Sequence, residues 1–261
     1  MILDKIVQST RKRVERDKER QNLEEVKAQA LAMDTRTQFP FEKMLWSEGI
    51  SFICEVKKAS PSKGLIAPDF PYLDIAREYE RVGAGAISVL TEPEFFQGSP
   101  EYLKEIRQEV EIPLLRKDFI VDAYQIYQAK VLGADAALLI CAILDGAALR
   151  EYIELCDHLG LSALVEAHDE REMEQALLAG ARIIGVNNRN LKDFTVDIGN
   201  SVRLRRLAPD EVAFVAESGI QTRQDVESLE EASVNAVLIG ETLMRSPDKK
   251  AMLEKLRGKI P

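Results

Sequence analysis

Ionisable side chains interrupt an apolar run near the start of this chain, where a buried strand would be expected to continue. The stretch ICEVKKASPSKG places Glu55 and Lys57 after such a run. Because side chains alternate across a strand, Glu55 and Lys57 share one face, and Cys54 and Val56 share the other. Charges on an inward face are costly to bury unless they are paired. An ammonium group held there can stabilise a developing negative charge and donate a proton, so the pair is a candidate for chemistry.

The same arrangement recurs at the ends of four further apolar runs, PLLRKDF, ALVEAH, IIGVNNRN and FVAESG. Each run is apolar until its last inward position, which carries a polar side chain. We therefore expect six side chains to converge on one pocket: Glu55, Lys57, Lys117, Glu166, Asn187 and Glu217. Ion pairs that complete a strand would explain any one of them. A stability role does not require lysines and glutamates to gather at successive strand ends, so the pattern favours a functional site.

The loops that follow these strands carry groups suited to holding a phosphate. Hydroxyl, guanidinium and exposed backbone N–H groups are available at Ser60, Arg189, Gly219, Gly240 and Glu241. Barrel enzymes often build such sites from the loops after their last strands, where glycine lets a ligand approach the backbone. Ordinary turn chemistry would account for any single position. The combination predicts a small phosphorylated ligand.

The histidines and cysteines do not form a predicted metal centre. His168 lies two residues beyond Glu166, and we expect a loop or helix-cap role for it because the carboxylate already occupies the inward position. His158 lies in a helical segment. The cysteines lack a C-x-x-C pair and are expected to be buried, reduced thiols: Cys54, Cys141 and Cys156. No metal is predicted.

A repeated unit indicates which elements position these side chains. Four segments echo one another, RVGAGAISVLTE, VLGADAALLICAI, LAGARIIGVNNRN and ASVNAVLIGETL, and three of them carry a glycine between the end of a helix and an apolar strand. They recur about every fifty residues, which is twice the length of one strand and one helix. Neither a G-x-G-x-x-G motif following a strand nor a Walker loop is present, which argues against an open nucleotide-binding sheet. The sequence therefore predicts an α/β fold, a (β/α)8 TIM barrel.

Residues 1–47 stand outside this repeat. Apolar residues at helical spacing predict one helix around Ile6 and Val14 and a second around Val26 and Ala30. A coiled coil with a partner is the alternative, but the apolar stripe lapses through ERDKERQN. We expect residues 1–261 to form a single barrel domain, of which 1–47 is an N-terminal helical extension.

Composition limits the classes of partner. With 261 residues, 46% of them hydrophobic, the chain can bury a substantial core. Its formal net charge of −9 disfavours binding to nucleic acid or to an anionic membrane surface. No run approaches the ~20 apolar residues of a membrane span, and the N-terminus becomes charged before a signal-peptide core could form. We expect a cytoplasmic monomer.

These motifs closely resemble the indole-3-glycerol phosphate synthase family. The likeness is carried, in order, by EVKKASPSKG, RKDFI, LVEAH, GVNNRN, AESGI and VLIGETLM, and it extends over nearly the whole chain. It implies ring closure of 1-(2-carboxyphenylamino)-1-deoxyribulose 5-phosphate, with decarboxylation and dehydration, to indole-3-glycerol phosphate in tryptophan biosynthesis. The resemblance implies no cofactor.

The resemblance also implies roles for particular residues. Lys117 would be the general acid of ring closure, Glu166 and Lys57 would act in the dehydration, and Glu55 would orient Lys57. Asn187 and Glu217 would hold substrate hydroxyls. The phosphate would lie near Ser60, Arg189, Ser218, Gly219, Gly240 and Glu241, and the anthranilate ring near Pro61, Phe96, Phe119 and Leu138. Departures are small: Cys54 stands where alanine is expected, and Asn188 and Glu241 where serine is also familiar.

Two other functions remain as alternatives. A phosphoribosylanthranilate isomerase type of barrel would need an aspartate and cysteine acid–base pair, whereas Cys54 is expected to face away from the axis. A barrel without catalytic activity that only binds a phosphorylated ligand would have no use for Lys57, Lys117 and Glu166 together.

Overall fold

Eight parallel strands close into a barrel. The computed structural model describes residues 2–190 and 193–260. Its strands are β1 (Ser51–Val56), β2 (Ala59–Ser60), β3 (Gly64–Leu65), β4 (Ala86–Leu90), β5 (Leu114–Lys117), β6 (Ala136–Ile140), β7 (Ser162–Ala167), β8 (Ile183–Asn187), β9 (Ala213–Glu217) and β10 (Ala236–Ile239). The closed order is β1, β10, β9, β8, β7, β6, β5, β4, while β2 and β3 pair as a small antiparallel hairpin in the loop after β1. The (β/α)8 prediction is confirmed.

Helices connect the strands and cover the outside of the barrel. They are α1 (Ile2–Arg20), α2 (Leu23–Ala32), α3 (Pro40–Leu45), α4 (Tyr72–Arg81), α5 (Pro100–Arg107), α6 (Ala123–Val131), α7 (Gly146–His158), α8 (Glu170–Leu178), α9 (Gly199–Arg205), α10 (Arg223–Glu231), α11 (Glu241–Arg245) and α12 (Lys249–Leu256). Several begin at an N-cap whose side chain accepts a backbone N–H hydrogen bond: Asp122, Asp145, Asp169 and Thr222. These caps fix the residue at which the loop before each of these four helices ends. No described helix is long and apolar enough to cross a membrane.

The four repeated segments share one backbone feature at the turn from helix to strand. Gly83, Gly133 and Gly180 have positive φ angles of 83°, 87° and 88°. In the fourth segment Ser233 adopts the same left-handed conformation, with φ of 60°. The turn is therefore conserved across the repeat even where glycine is replaced, at the steric cost that a Cβ imposes there.

The N-terminal extension is helical, as predicted, and packs on the barrel. Asn22 and Glu25 form a capping box that starts α2. Val14 of α1 and Val26 of α2 share a buried cluster with Tyr124 of α6. The apolar stripes of α1 and α2 are thus buried against the barrel's own helix rather than left for a partner.

The apolar core has two layers that follow the alternation of side chains along each strand. Ile53 belongs to the inner cluster that fills the barrel axis. Cys54 and Val56 belong to the outer cluster between the strands and the helices. Cys54 therefore faces away from the axis, as predicted from the two-residue period of a strand.

Candidate active site

A cavity of about 310 Å³ opens at the C-terminal end of the barrel. It is lined by all six polar side chains predicted to converge: Glu55, Lys57, Lys117, Glu166, Asn187 and Glu217. It is also lined by the residues that the family resemblance assigned to the substrate: Ser60, Pro61, Phe96, Phe119, Leu138, Arg189, Ser218, Gly219, Gly240 and Glu241. The structure thus brings the candidate residues together, while their individual roles stay predictions.

The register of the strands explains this convergence. The parallel strands all bring their last inward residues to the same end of the barrel, and some of these residues are direct neighbours: Leu90 with Lys117, Ile140 with Glu166, and Asn187 with Glu217. Nearer the other end of the barrel the inward positions are filled mostly by apolar side chains. The polar residues therefore form one layer above a packed axis, as in barrel enzymes generally.

Lys117 lies between two carboxylates. Its Nζ donates a hydrogen bond to Glu166 Oε2 at 3.1 Å and is 3.0 Å from Glu217 Oε2. Burial disfavours the ammonium ion, but the nearby carboxylates of Glu217, Glu166 and Glu55 raise the pKa of Lys117. Lys117 is therefore a fixed positive charge at the base of the cavity.

Glu166 is held as a carboxylate. Burial raises the pKa of Glu166, but this is outweighed by the charges of Lys117 and His168 and by hydrogen bonds from Lys117 and Asn187, which lower it. Its side chain is only 4% exposed. A buried, ionised carboxylate next to a cation can accept a proton from a bound substrate.

Glu217 differs from Glu166 although both contact Lys117. The pKa of Glu217 is raised to about 7. Burial is the main cause, and the charge of Glu166 also raises this pKa, whereas Lys117 lowers it. Among residues 2–190 and 193–260, its Oε1 has no hydrogen-bond partner. This oxygen lies beside Gly185, where the Cβ of any other residue would overlap it. The free oxygen can accept a hydrogen bond from a ligand hydroxyl when Glu217 is ionised and can donate one when Glu217 is protonated.

Glu55 and Lys57 form a second pair, at the end of β1. Lys57 Nζ donates to Glu55 Oε1 at 2.5 Å, and Ser88 Oγ donates to Glu55 Oε2 at 3.2 Å. A Cβ at Gly240 would lie 2.6 Å from Glu55 Oε1 and 2.7 Å from Lys57 Nζ. Glycine at this position thus lets the loop after β10 approach the pair.

Polar groups line the side of the cavity formed by the loops after β1, β8, β9 and β10. Ser218 and Gly219 have φ angles of 69° and 84°, which turn the backbone over the mouth. Buried Asn188 donates through Nδ2 to the Ser218 carbonyl at 3.3 Å. Lys63, in the turn between β2 and β3, is 3.5 Å from Glu241 across the opening. This side has the hydrogen-bonding groups that a phosphate needs.

The opposite side of the cavity is an apolar slot. The rings of Phe96 and Phe119 lie 5.9 Å apart between centroids, at 40°. The buried Glu92 carboxylate holds the Phe96 segment by accepting the backbone N–H groups of residues 94, 95 and 96 at 3.0, 2.7 and 3.0 Å. A slot of this kind is suited to a flat aromatic ring.

The N-terminal helix contributes to the cavity, which the sequence did not predict. Ile2, Leu3 and Ile6 of α1 line it. Arg13 anchors the same helix: it donates to the Thr91 carbonyl at 3.1 Å and to Asp118 Oδ1 at 2.7 Å. Helical periodicity identified the buried stripe of α1, but it carries no information about which part of the barrel the stripe covers.

Asp118, directly after Lys117, collects several donors. Besides Arg13, it accepts hydrogen bonds from Thr91 Oγ1 at 2.6 Å and from Arg116 at 3.1 Å. Burial opposes its ionisation, but the guanidinium groups of Arg13 and Arg116 lower the pKa of Asp118. This buried network fixes the backbone from which Lys117 projects.

The cysteines and histidines fall where the sequence placed them. Cys54, Cys141 and Cys156 are free and buried, and burial raises the pKa of Cys54 to about 12. His168 lies in the loop before α8, and His158 is exposed on α7. Within residues 2–190 and 193–260, no group of three or more His, Cys, Asp or Glu is arranged to hold a metal ion.

Comparison with known proteins places this architecture in a family. The family model described as indole-3-glycerol phosphate synthase matches residues 3–256. A protein named indole-3-glycerol phosphate synthase from Ruminiclostridium cellulolyticum is 59% identical over 258 residues, covering 99% of each chain. One of the same name from Endomicrobium trichonymphae is 57% identical over 257 residues, covering 98% of this chain and all of the relative.

Solved structures support the fold at lower identity. The 3-hexulose-6-phosphate synthase from Salmonella typhimurium has a TM-score of 0.66 and 13% identity, covering 80% of this chain and 97% of its own. At that identity the likeness establishes the barrel and not the reaction.

Proposed function

The chain belongs to the indole-3-glycerol phosphate synthase family, and from this membership we propose how its cavity carries out the family's reaction. The substrate is 1-(2-carboxyphenylamino)-1-deoxyribulose 5-phosphate. The products are indole-3-glycerol phosphate, carbon dioxide and water, in a decarboxylating step of tryptophan biosynthesis. The observation that carries the proposal is the Lys117 ammonium group, held between Glu166 and Glu217 at the base of a cavity with one apolar and one polar side.

Ring closure requires a positive charge at the ribulose carbonyl. The aromatic carbon that bears the carboxylate attacks the carbonyl carbon, and negative charge accumulates on the oxygen. Lys117 stabilises that oxygen and gives it a proton. Its raised pKa makes it a weak acid at rest, so its charge acts first and the proton moves as the oxygen becomes basic. Loss of carbon dioxide then leaves a ring that carries one hydroxyl group.

Dehydration requires an acid and a base. Lys57, held by Glu55, protonates the departing hydroxyl, which leaves as water. Glu166 takes the proton whose loss restores aromaticity. Its lowered pKa keeps it ionised for this step. Asn187 and Glu217 hold the substrate hydroxyls, and the unpartnered Oε1 of Glu217 is available to accept one of them.

The two ends of the substrate fit the two sides of the cavity. The phosphate is bound by Ser60, Arg189 and the loops at Ser218, Gly219, Gly240 and Glu241, the last through its backbone. The anthranilate ring lies against Pro61, Phe96, Phe119 and Leu138. In a chain of net charge −9, the cations Lys57, Lys117 and Arg189 give the two anionic groups of the substrate charged partners, in a lining that also carries Glu55, Glu166 and Glu217.

We also propose that residues 1–261 act as a single-domain monomer in the cytoplasm, without a cofactor or a nucleic-acid partner. Every group assigned to the reaction comes from one chain, and the proton transfers need only side chains. The net charge of −9 disfavours binding to nucleic acid.

A direct assay tests the proposed function. Purified protein is mixed with the carboxyphenylamino-deoxyribulose phosphate, and indole absorbance and fluorescence are followed. Turnover is expected. Binding of the substrate without formation of indole would instead favour a barrel that only binds a phosphorylated ligand.

A further inference from the structure

His168 contacts two carboxylates through opposite sides of its ring. Its Nδ1 is in hydrogen-bond contact with Glu172 Oε2 at 3.0 Å. Its buried Nε2 has no hydrogen-bond partner among the described residues and lies 3.4 Å from Glu166 Oε1, within the distance of an ion pair. Two further hydrogen bonds hold the backbone that carries the ring. The His168 N–H donates to Glu172 at 2.8 Å, and its carbonyl accepts from Asn200 Nδ2 at 3.1 Å.

Helix capping does not account for this ring. Asp169 already caps α8, because its Oδ1 accepts the Glu172 N–H at 2.9 Å. The backbone N–H of His168, and not its ring, would suffice to bind Glu172. The ring's contact with Glu166 therefore calls for a separate explanation.

The geometry favours the charged form of the ring. An ionised carboxylate only accepts hydrogen bonds, and a neutral imidazole has a single N–H. With a carboxylate opposite each nitrogen, only the imidazolium ion presents a donor to both. Glu172, His168, Glu166, Lys117 and Glu217 then form a row of alternating charges that leads into the cavity.

We propose that protonated His168 is a positioning residue that keeps Glu166 ionised and aimed at the substrate, and that Glu172 keeps His168 protonated. This rests on the proposed role of Glu166 as the base. The contact matters most when Lys117 turns to the substrate carbonyl oxygen, because Glu166 Oε2 then loses its partner while Oε1 keeps His168. His168 is not among the residues that line the cavity, so it acts through Glu166.

Several charged groups set the protonation of His168. Burial lowers its pKa, but the hydrogen bond to Glu172 and the charges of Glu166, Glu172 and Glu217 raise it. The adjoining cavity of about 580 Å³ also carries charged side chains of both signs: Asp4, Asp169, Arg189, Asp197 and Arg203. The direct ring contacts are with carboxylates, so the net effect favours the cation.

Kinetics over pH 5 to 9 test the proposal with His168→Asn and His168→Gln, and with His158→Asn as the matched control on exposed α7. Both His168 variants are expected to shift the acidic limb of kcat upward by roughly half to one pH unit, with little change in KM. The loss of kcat in these variants relative to wild type is expected to become smaller at alkaline pH, where wild-type His168 also loses its charge. A deficit constant across pH, or full rescue by glutamine, would mean that His168 only fills space, and the proposal would be wrong.

Direct titration tests the same coupling without turnover. The chain has two histidines, so His158→Asn leaves a single imidazole for NMR. We expect His168 to titrate above an exposed histidine and expect Glu172→Gln and Glu166→Gln each to lower its pKa. A His168 that titrates normally and ignores both substitutions overturns the proposal. Absence of turnover in wild type would overturn the proposed function instead, while this titration still decides whether His168 and Glu166 are coupled.

Discussion

The carboxylate of Glu217 occupies the space in which a side chain at Gly185 would lie. Gly185 and Glu217 are on neighbouring strands, β8 and β9, and a Cβ at position 185 would overlap Glu217 Oε1 and lie 3.2 Å from Leu164. Both neighbours are buried, and the overlapping atom is the end of the Glu217 side chain, so an added Cβ would push this carboxylate aside. The glycine is thus part of the site, since it sets where the Glu217 carboxylate lies relative to Lys117.

Gly185→Ala should displace Glu217 and impair catalysis more than folding. We expect kcat/KM to fall by about 10- to 100-fold, since small misplacements of a positioning group have effects of that size. Gly146→Ala is the matched control, because nothing lies within 4 Å of its Cβ at the start of α7. Steady-state kinetics compare the activity of the two variants, and thermal unfolding compares their stability. Equal activity of the two would show that Glu217 does not need this space.

Glu217 should make stability depend on pH. Its pKa is raised from 4.5 to about 7, so the folded chain keeps a proton that the unfolded chain loses. The free energy of unfolding from this group therefore falls as pH rises from about 4.5 through about 7. The Glu217→Gln variant has no carboxyl group at this position, so its free energy of unfolding does not fall for this reason.

Urea unfolding of wild type and Glu217→Gln at pH 5 and pH 8 measures the effect. Between pH 5 and pH 8, the free energy of unfolding of wild type should fall by on the order of 2 kcal/mol relative to that of Glu217→Gln. Glu174→Gln, at an exposed position of α8, should show no such change. A pH-independent difference for Glu217→Gln would contradict the shifted pKa.

Lys117→Ala should abolish ring closure while the barrel stays folded. Its ammonium acts on the developing oxyanion, so kcat should fall by about 10²- to 10⁴-fold with a smaller effect on KM. Indole fluorescence follows turnover, and circular dichroism follows the fold. Lys250→Ala, whose side chain is 67% exposed on α12, is the control and should be unaffected. Near-normal turnover of Lys117→Ala would assign the acid role to another group.

Arg13→Ala should loosen the N-terminal helix from the cavity. Loss of Arg13 leaves Asp118 with Arg116 as its guanidinium partner, and loss of a hydrogen bond to a charged group costs about 1.5–3 kcal/mol. KM should rise as well, because Ile2, Leu3 and Ile6 of the same helix line the cavity. Urea unfolding and kinetics are compared with Arg11→Ala, an exposed position on α1. Equal unfolding midpoints would show that Arg13 does not anchor the helix.

The sequence by itself was enough to predict the barrel and the membership of the polar layer. A two-residue period assigns each strand residue to a face, so Glu55 and Lys57 could be placed inward and Cys54 outward. The repeat of strand and helix then required the last inward residues to meet at one end. Both inferences depend only on local geometry and on chain order.

Only the tertiary structure decided which of these groups pair. Lys57, directly after β1, binds Glu55 of that strand, whereas Lys117 lies between Glu166 and Glu217, which belong to two other strands. Distances across the barrel depend on how its strands tilt and stagger on closure, which no local pattern encodes. The same holds for Arg13 with Asp118, which are 105 residues apart in the chain, because contacts between residues far apart in the chain exist only once the barrel has closed.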